Sequence, residues 1–459
     1  MAGQRMKKRS GDMEMILQEV LSQIKPAKSA TVKEAREFIS KVNSLLKKEG
    51  VNATAVAGGS VAKGTFLRGD HDVDIFVKFN RDKYKQKDAD MSAILGKVLR
   101  KGFSKVRRIH GSRDYYRISN GIQYEIVPVL NIRDCSNAEN VTDCSPLHVR
   151  WVNSFSGMKK EIMLTKAFCK AAGIYGAESY IKGFSGHVVD IITIHYGGFL
   201  SLLKASKSWK KKQVIDHYKH HKGKALFNLN RSKTQSPLIV IDPVQPDRNA
   251  AAALDEKNFR LFRKRAAEFL KNPSKDFFVP EKMDISELKK EARKRGGKLI
   301  LIKASPKRGK EDVMGAKLLK TLQFIIQQLS MNDFTVIDHG WHWDRKSSAV
   351  FWIITDRKDL PKKAVRTGPP VNVKRHYRKF ADSHKNVFVK DSRAYAEVER
   401  EFTNAERFIK SLFKNSYIRE RAGSIRIDSE DAHHIPEKLR KKSTKKKKKT
   451  KKKHKTSNR

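Results

Sequence analysis

The chain has 459 residues, 39% of them hydrophobic, with 99 lysines and arginines against 49 acids and a formal net charge of +50. That length suits roughly three domains with real cores. No apolar run is long enough to span a membrane, and self-repulsion on this scale calls for a polyanionic partner, nucleic acid first. The three cysteines, Cys135, Cys144 and Cys169, are widely spread and suggest no disulfide framework, which fits a reducing cytoplasm. Cys135, Cys144 and His148 lack the spacing and the fourth ligand of a zinc site.

The N-terminus lacks the apolar stretch of a signal peptide. Residues 12–49 read as two helices, the second with Thr31 as its N-cap. Then comes GGSVAKGTFLRGDHDVDIFVKF at 58–79. Gly58, Gly59 and Ser60 read as a turn. Val73, Ile75 and Val77 alternate with Asp72, Asp74 and Phe76 in the period-2 pattern of a strand. Asp72 and Asp74 therefore share a face, where two unpaired carboxylates are expensive to bury. Glycines let backbone amides approach phosphate, Ser60 adds a hydroxyl and Lys63 a positive charge. The segment reads as a seat for divalent cations and a nucleoside triphosphate. Mg²⁺ prefers such oxygen ligands, and a pair of ions about 4 Å apart stabilises both oxygens of an in-line displacement.

Residues 91–101 read as a helix. Residues 113–119 and 122–130 read as paired strands around Asn120-Gly121, with Pro128 suited to an edge or a strand end. Gln123, Glu125 and Val127 share a face, so Glu125 is a lone carboxylate in an apolar strand and a candidate third metal ligand. Residues 161–172 and 188–203 follow as helices with apolar residues at 3.6 spacing. His195 and Tyr196 read as core, and HYKHH at 217–221 as an exposed basic loop. Residues 237–253 read as a strand, a proline-rich turn and a helix start, and a further helix runs to about Leu270.

From 275 the pattern changes. A strand at 298–303, a helix at 311–329 and strands from 334 and at 349–355 suggest a ferredoxin-like α+β unit. A basic surface with interleaved aromatics is typical of RNA-facing modules, while Trp341, Trp343 and Trp352 read as core packing. GPPV at 368–371 reads as a turn, and a helix within 392–413 ends the folded part. The lysine-rich tail reads as a disordered, salt-sensitive nucleic-acid arm.

Over about residues 10–425 the chain resembles the archaeal-type (class I) CCA-adding enzymes, tRNA nucleotidyltransferases of the polymerase-β superfamily. The resemblance rests on GSVAKGTFLRGDHDVDIF at 59–76, YEIVPV at 124–129, PLH at 146–148, GIYGAESYIKGFSG at 173–186 with IHYGGF at 194–199, IDPVQPDRNAAAAL at 241–254, and GPPV at 368–371 with VFVKDSRAYAEVER at 387–400. It implies a multidomain α+β chain. A polymerase-β-like nucleotidyltransferase head would occupy 1–150 and a helical central domain 151–274. A ferredoxin-like, tRNA-binding region would occupy 275–430 and the basic disordered tail 431–459.

The resemblance further implies that Asp72, Asp74 and Glu125 are catalytic and ligate Mg²⁺. Ser60, Lys63, His148, Lys166 and Tyr175 would bind the incoming nucleotide, with Arg248 a candidate reader of the base. The family's third carboxylate is usually Asp; Glu125 keeps the charge, reaches one methylene further, and is expected to retain activity. The implied reaction transfers nucleotides from CTP and then ATP to the 3′ end of tRNA without a template, the basic body clamping the acceptor arm. The implied setting is cytoplasmic and free of membrane, with a homodimer among the open oligomeric states. Two other readings stand beside this one. A poly(A) or oligo(A) polymerase would share the catalytic core, and an inactive nucleotidyltransferase fold would serve as an RNA-binding scaffold.

Overall fold

A computed structural model describes residues 2–26, 30–70, 72–85, 90–280 and 283–428. The expected tail at 431–459 lies outside them. The chain divides into two compact units, Met1–Lys282 and Met283–Arg459.

In the first unit, β1 (Ala53–Ala57), β2 (Asp72–Asn80), β3 (Arg107–Ile109), β4 (Tyr115–Asn120) and β5 (Ile122–Asn131) form a sheet in the order β1-β2-β5-β4-β3. β2 and β5 are parallel; their other pairings are antiparallel. Val73, Ile75, Val77 and Phe79 are fully buried on one face of β2, beside Ile126 of β5. They pack with Val42 and Leu46 of the helix Ala30–Lys48 and Leu95 and Leu99 of Met91–Gly102. Each such side chain contributes about 1.5–3 kcal/mol. A one-residue slip would drive Asp72 and Asp74 into this core, so burial pins the register. Pro128 stands beyond the last residue of β5 that pairs with β4, where only β2 lies beside it. The second helix begins at Ala30, which puts Thr31 inside the helix and not at its cap.

Helices Lys159–Ala171, Gly186–His195, Phe199–Ser206 and Glu256–Lys271 share a second core containing Phe168, Phe199, Phe262 and Phe269. The single helix expected over 188–203 is two helices bent by 89°. Gly197 (φ 75°) and Gly198 (φ 134°) leave the helical region between them. His195 and Tyr196 are half-buried there. This segment also holds a small sheet of β6 (Gln213–Ile215), β7 (Leu238–Asp242) and β8 (Gln245–Asn249). β8 lies within the expected proline-rich turn, the alanines at 250–253 expected to start a helix form a turn, and the helix begins at Glu256; the Asn249 side chain accepts from Val240 N and Ala251 N.

The cysteine expectation is corrected. Cys135 and Cys144 form a disulfide with Cα atoms 5.4 Å apart. Two short 3₁₀ turns carry them, folded back by the buried Asp143, which accepts from Leu130 N, Glu139 N and Asn140 N.

In the second unit, β9 (Gly297–Pro306), β10 (Val336–Trp343), β11 (Ala349–Asp356), β12 (Lys363–Pro370), β13 (Val387–Lys390), β14 (Arg393–Glu399) and β15 (Ala422–Ile427) make two sheets. Their orders are β10-β11-β9-β15 and β12-β14-β13, with every pairing antiparallel. Helix Glu311–Met331 joins β9 to β10, and helix Ala405–Leu412 precedes β15. GPPV at 368–371 spans the end of β12. Trp343 is buried; Trp341 and Trp352 are half-buried. Among the described residues no single helix is long and apolar enough to cross a membrane.

Candidate active site

The parallel pairing of β2 with β5 sets Asp74 opposite Glu125 and Asp72 opposite Gln123. Neighbours in register on a pleated sheet point the same way, so all three carboxylates share the face away from the helical core. Asp72 Oδ1 accepts from Gln123 Nε2 at 2.8 Å. Glu125 Oε1 accepts from Arg117 Nη2 at 2.6 Å and Nε at 3.2 Å. Burial pushes the pKa of Asp74 up to about 6, reinforced by Glu125 and Asp72 and opposed by Lys63 and Lys166. Mutual repulsion of carboxylates with only oxygen donors fits a hard divalent cation.

The Gly-Gly-Ser turn is the entry to a short helix, Gly59–Lys63, that abuts Asp74. Gly58 N donates to the Asp74 carbonyl at 2.8 Å. A Cβ at Gly59, whose φ is +50°, would stand 1.7 Å from Asp74 Oδ2. Ser60 is half-buried in this helix.

Two of the expected nucleotide contacts are already engaged within the protein. Lys63 is buried and donates to the buried Asp190 Oδ2 at 2.7 Å. Lys166 is buried and donates to Thr65 Oγ1 at 3.0 Å and Thr65 O at 3.3 Å. Burial lowers the pKa of Lys166, with Asp190 opposing. Tyr175 is half-buried, with Lys170 Nζ 5.3 Å above its ring, and burial raises the pKa of its hydroxyl. Lys170 also pairs with Asp70 at 2.6 Å, tying the loop before β2 to the helix Lys159–Ala171.

The remaining candidates meet at one oxygen. Asp242 Oδ2 accepts from Arg248 Nη1 at 2.9 Å and lies 3.2 Å from His187 Nε2. His148 Nε2 stands 3.0 Å from it, off the line of a good hydrogen bond. The two imidazoles lie 3.9 Å apart. Burial, then His148, pushes His187 down to about 4, so it is neutral at pH 7. Burial works the other way on Asp242, but His148 and His187 beside it hold it well below the usual carboxylate range. His148, His187 and Asp242 have the donor types of a metal site. Arg248, His187 and His148 already crowd Asp242 Oδ2, so the cluster stands as a polar hub; Arg117 occupies Glu125 Oε1 in the same way, and a cation at Glu125 requires that guanidinium to give way. Lys63 ends the short helix that abuts Asp74 and pairs with Asp190, three residues beyond His187 on the helix Gly186–His195, so this ion pair links the carboxylates to the hub.

Sequence reasoning missed Asp190, His187, Asp242 and Arg117. The signal for two of them was present: Asp190 sits among Val188, Val189, Ile191 and Ile192, and Asp242 ends the apolar run of β7. Each is a charged residue in an apolar stretch, the same pattern that singled out Glu125.

Three family models match the chain in succession. They are a nucleotidyltransferase domain at 36–148, the second domain of tRNA nucleotidyltransferase at 160–279, and the C-terminal domain of the CCA-adding enzyme at 295–425. The CCA-adding enzyme of Nanoarchaeum equitans is 32% identical over 381 residues, covering 82% of this chain and 91% of that protein. That of Methanocaldococcus jannaschii is 31% identical over 420 residues, covering 88% and 90%. That of Methanothermobacter thermautotrophicus is 30% identical over 388 residues, covering 81% of each.

Proposed function

The chain belongs to the CCA-adding enzyme family, and from that premise we propose that it adds or repairs the 3′-terminal CCA of tRNA by template-independent nucleotidyl transfer from CTP and then ATP. The observation that carries the chemistry is the in-register pairing of Asp74 with Glu125, with Asp72 two residues along the same face. Bound Mg²⁺ would activate the RNA 3′ hydroxyl and neutralise charge on the triphosphate.

The chain's own residues do the positioning. Asp72, Asp74 and Glu125 would hold the cations, whose positive charge would offset the burial and the neighbouring carboxylates that together raise the pKa of Asp74. Gly58 and Gly59 keep side chains out of the space beside Asp74, and Ser60 offers its hydroxyl to the nucleotide. Lys63 and Lys166, with Tyr175, supply fixed charge and a hydrogen bond toward the triphosphate, their ammonium groups oriented by Asp190 and Thr65. Asp242 orients Arg248 toward the base, and His148, 3.0 Å from the same carboxylate oxygen, faces the phosphates. Preorganised groups of this kind supply most of the barrier reduction in phosphoryl chemistry.

The matched segments support a division into a head at 1–150, a central domain at 151–274 and an α+β tRNA-binding region at 275–430, followed by the basic tail. The β-α-β-β-α-β order of the sheet β10-β11-β9-β15 supports a ferredoxin-like reading of that region. The acceptor arm of tRNA is its ligand, and the cytoplasm its setting.

A tRNA transcript lacking its 3′ end, offered labelled CTP and ATP separately and together, tests the reading. We expect two C and one A, then a stop. Long homopolymer tails would indicate a poly(A)-type polymerase, and no Mg²⁺-dependent incorporation an inactive scaffold. Asp74→Ala is expected to lower incorporation by several orders of magnitude while tRNA binding is nearly kept; equal loss of both would sink the metal assignment.

A further inference from the structure

Between the helix Phe199–Ser206 and β7, residues 207–235 carry nine lysines and arginines against one acid, Asp216. The same stretch presents Phe227 at 89% exposure, the most exposed large apolar side chain among the described residues. Phe227 belongs to the short helix Ala225–Asn228. Its neighbours Ala225 and Leu229 are buried against Ile239 and Ile241 of β7, which turns Leu226 and Phe227 outward. A groove beside them is lined by Leu226, Lys212, Arg231 and Thr234.

The loop is held in one shape. Lys212, Lys219 and Lys222 have φ of 60°, 57° and 49°, a left-handed conformation that side chains of this size adopt at a cost and that tends to persist where function needs it. Asp216 accepts from His220 N and His221 N. His220 Nε2 and His221 Nε2 contact the carbonyls of Pro243 and Pro246, and Lys233 Nζ that of Asp247. These carbonyls belong to the β7–β8 hairpin, the element that carries Asp242 and Arg248. The loop is therefore braced against the wall of the active site.

We propose that Phe227 is a stacking platform for an unpaired base at the 3′ end of the RNA, with the surrounding lysines neutralising the adjacent phosphates. This rests on the tRNA reading above and assigns one surface of it. An exposed aromatic in a cationic, backbone-braced setting is the arrangement that binds single strands, because every base has a π-face to stack. A surface for a protein partner would instead offer a wider apolar patch with fewer charges at its centre. Lys222 and Arg231, within five residues of Phe227 on either side along the chain, are exposed and suit phosphate.

The test uses the full chain and two RNAs: a tRNA-like hairpin with an unpaired 3′ overhang, carrying 2-aminopurine in the overhang, and the same hairpin blunt-ended. Phe227→Ala is expected to weaken binding of the overhang RNA about tenfold and to abolish 2-aminopurine quenching, with the blunt RNA unaffected and Phe227→Trp restoring both. Lys222→Gln with Lys224→Gln should reduce the slope of log affinity against log salt by about one to two, whereas Phe227→Ala should leave that slope unchanged. Equal weakening on both RNAs, or none, overturns the proposal. So does a change in the oligomeric mass of Phe227→Ala with RNA binding intact, which would mark a protein-docking surface. These binding readouts need no turnover. A chain that incorporates no C or A but loses overhang binding with Phe227→Ala would refute the reaction and keep the platform.

Discussion

Gly59 and Asp74 depend on each other. A methyl at 59 meets Asp74 Oδ2 at 1.7 Å and must adopt φ +50°, so Gly59→Ala is expected to lower incorporation at least 100-fold by moving the carboxylate proposed to bind metal. A matching loss of Mn²⁺ binding, read by calorimetry, would tie the defect to the metal seat. Asp74 itself costs stability. Its folded pKa of about 6 lies above the ordinary 3.8, so the folded chain holds a proton that the unfolded chain releases between those values. Stability from this group is gained as pH falls from 7 toward 4 and lost as pH rises through 6. In chelator at pH 7.5, Asp74→Asn should therefore raise stability by about 1 kcal/mol, a shift of ~2 °C in melting temperature. In the wild type, Mn²⁺ affinity should fall below pH 6 as protons compete. The Lys63–Asp190 pair makes the opposite case. Both are buried, so Asp190→Ala leaves an ammonium unpaired and should cost about 3 kcal/mol. Lys63→Met in the same chain should return most of that in urea unfolding; simple additivity would refute the pairing.

At the scale of elements, regular periodicity was legible and its interruptions were not. β2 and β5 announced themselves by alternation, because one face is core and the other carries carboxylates. β1 and β3, five and three residues long, hold too few positions for a period to show; β1 is selected by its pairing with β2. The apolar stripe across 188–203 continued through IHYGGF, and only the backbone reveals that Gly197 and Gly198 break it. A Cβ at Gly198 would lie 3.1 Å from Glu161 Oε2, which accepts from Phe199 N at 2.9 Å and starts the next helix. Gly198→Ala is expected to destabilise the chain by about 1–3 kcal/mol through the forced positive φ, read as a lower urea midpoint with an unchanged m-value. β8 is hidden because its residues, QPDRN, have the composition of a turn; the Asn249 side chain, accepting from Val240 N, ties them back to β7.

For the whole molecule, charge is a property of composition. Removing residues 431–459 is expected to reduce the salt dependence of tRNA binding while incorporation at low salt persists, since the remaining chain is still strongly basic. Incorporation lost at low salt as well would give the tail a part in catalysis. The residues along the chain determined the charge that calls for a polyanionic partner, the two-carboxylate strand, Glu125 as a further carboxylate in an apolar strand, and the family through motifs of fixed spacing. These are local or additive features, and a linear string carries them in full. The tertiary structure alone decided that Glu125 stands opposite Asp74, that Lys63 is buried against Asp190, that His148 and Arg248 meet at Asp242, and that Cys135 bonds Cys144. Each joins residues distant in the chain or in separate turns, and which partner a buried charge finds is set by packing, because desolvation forces it to take the one the fold brings within reach.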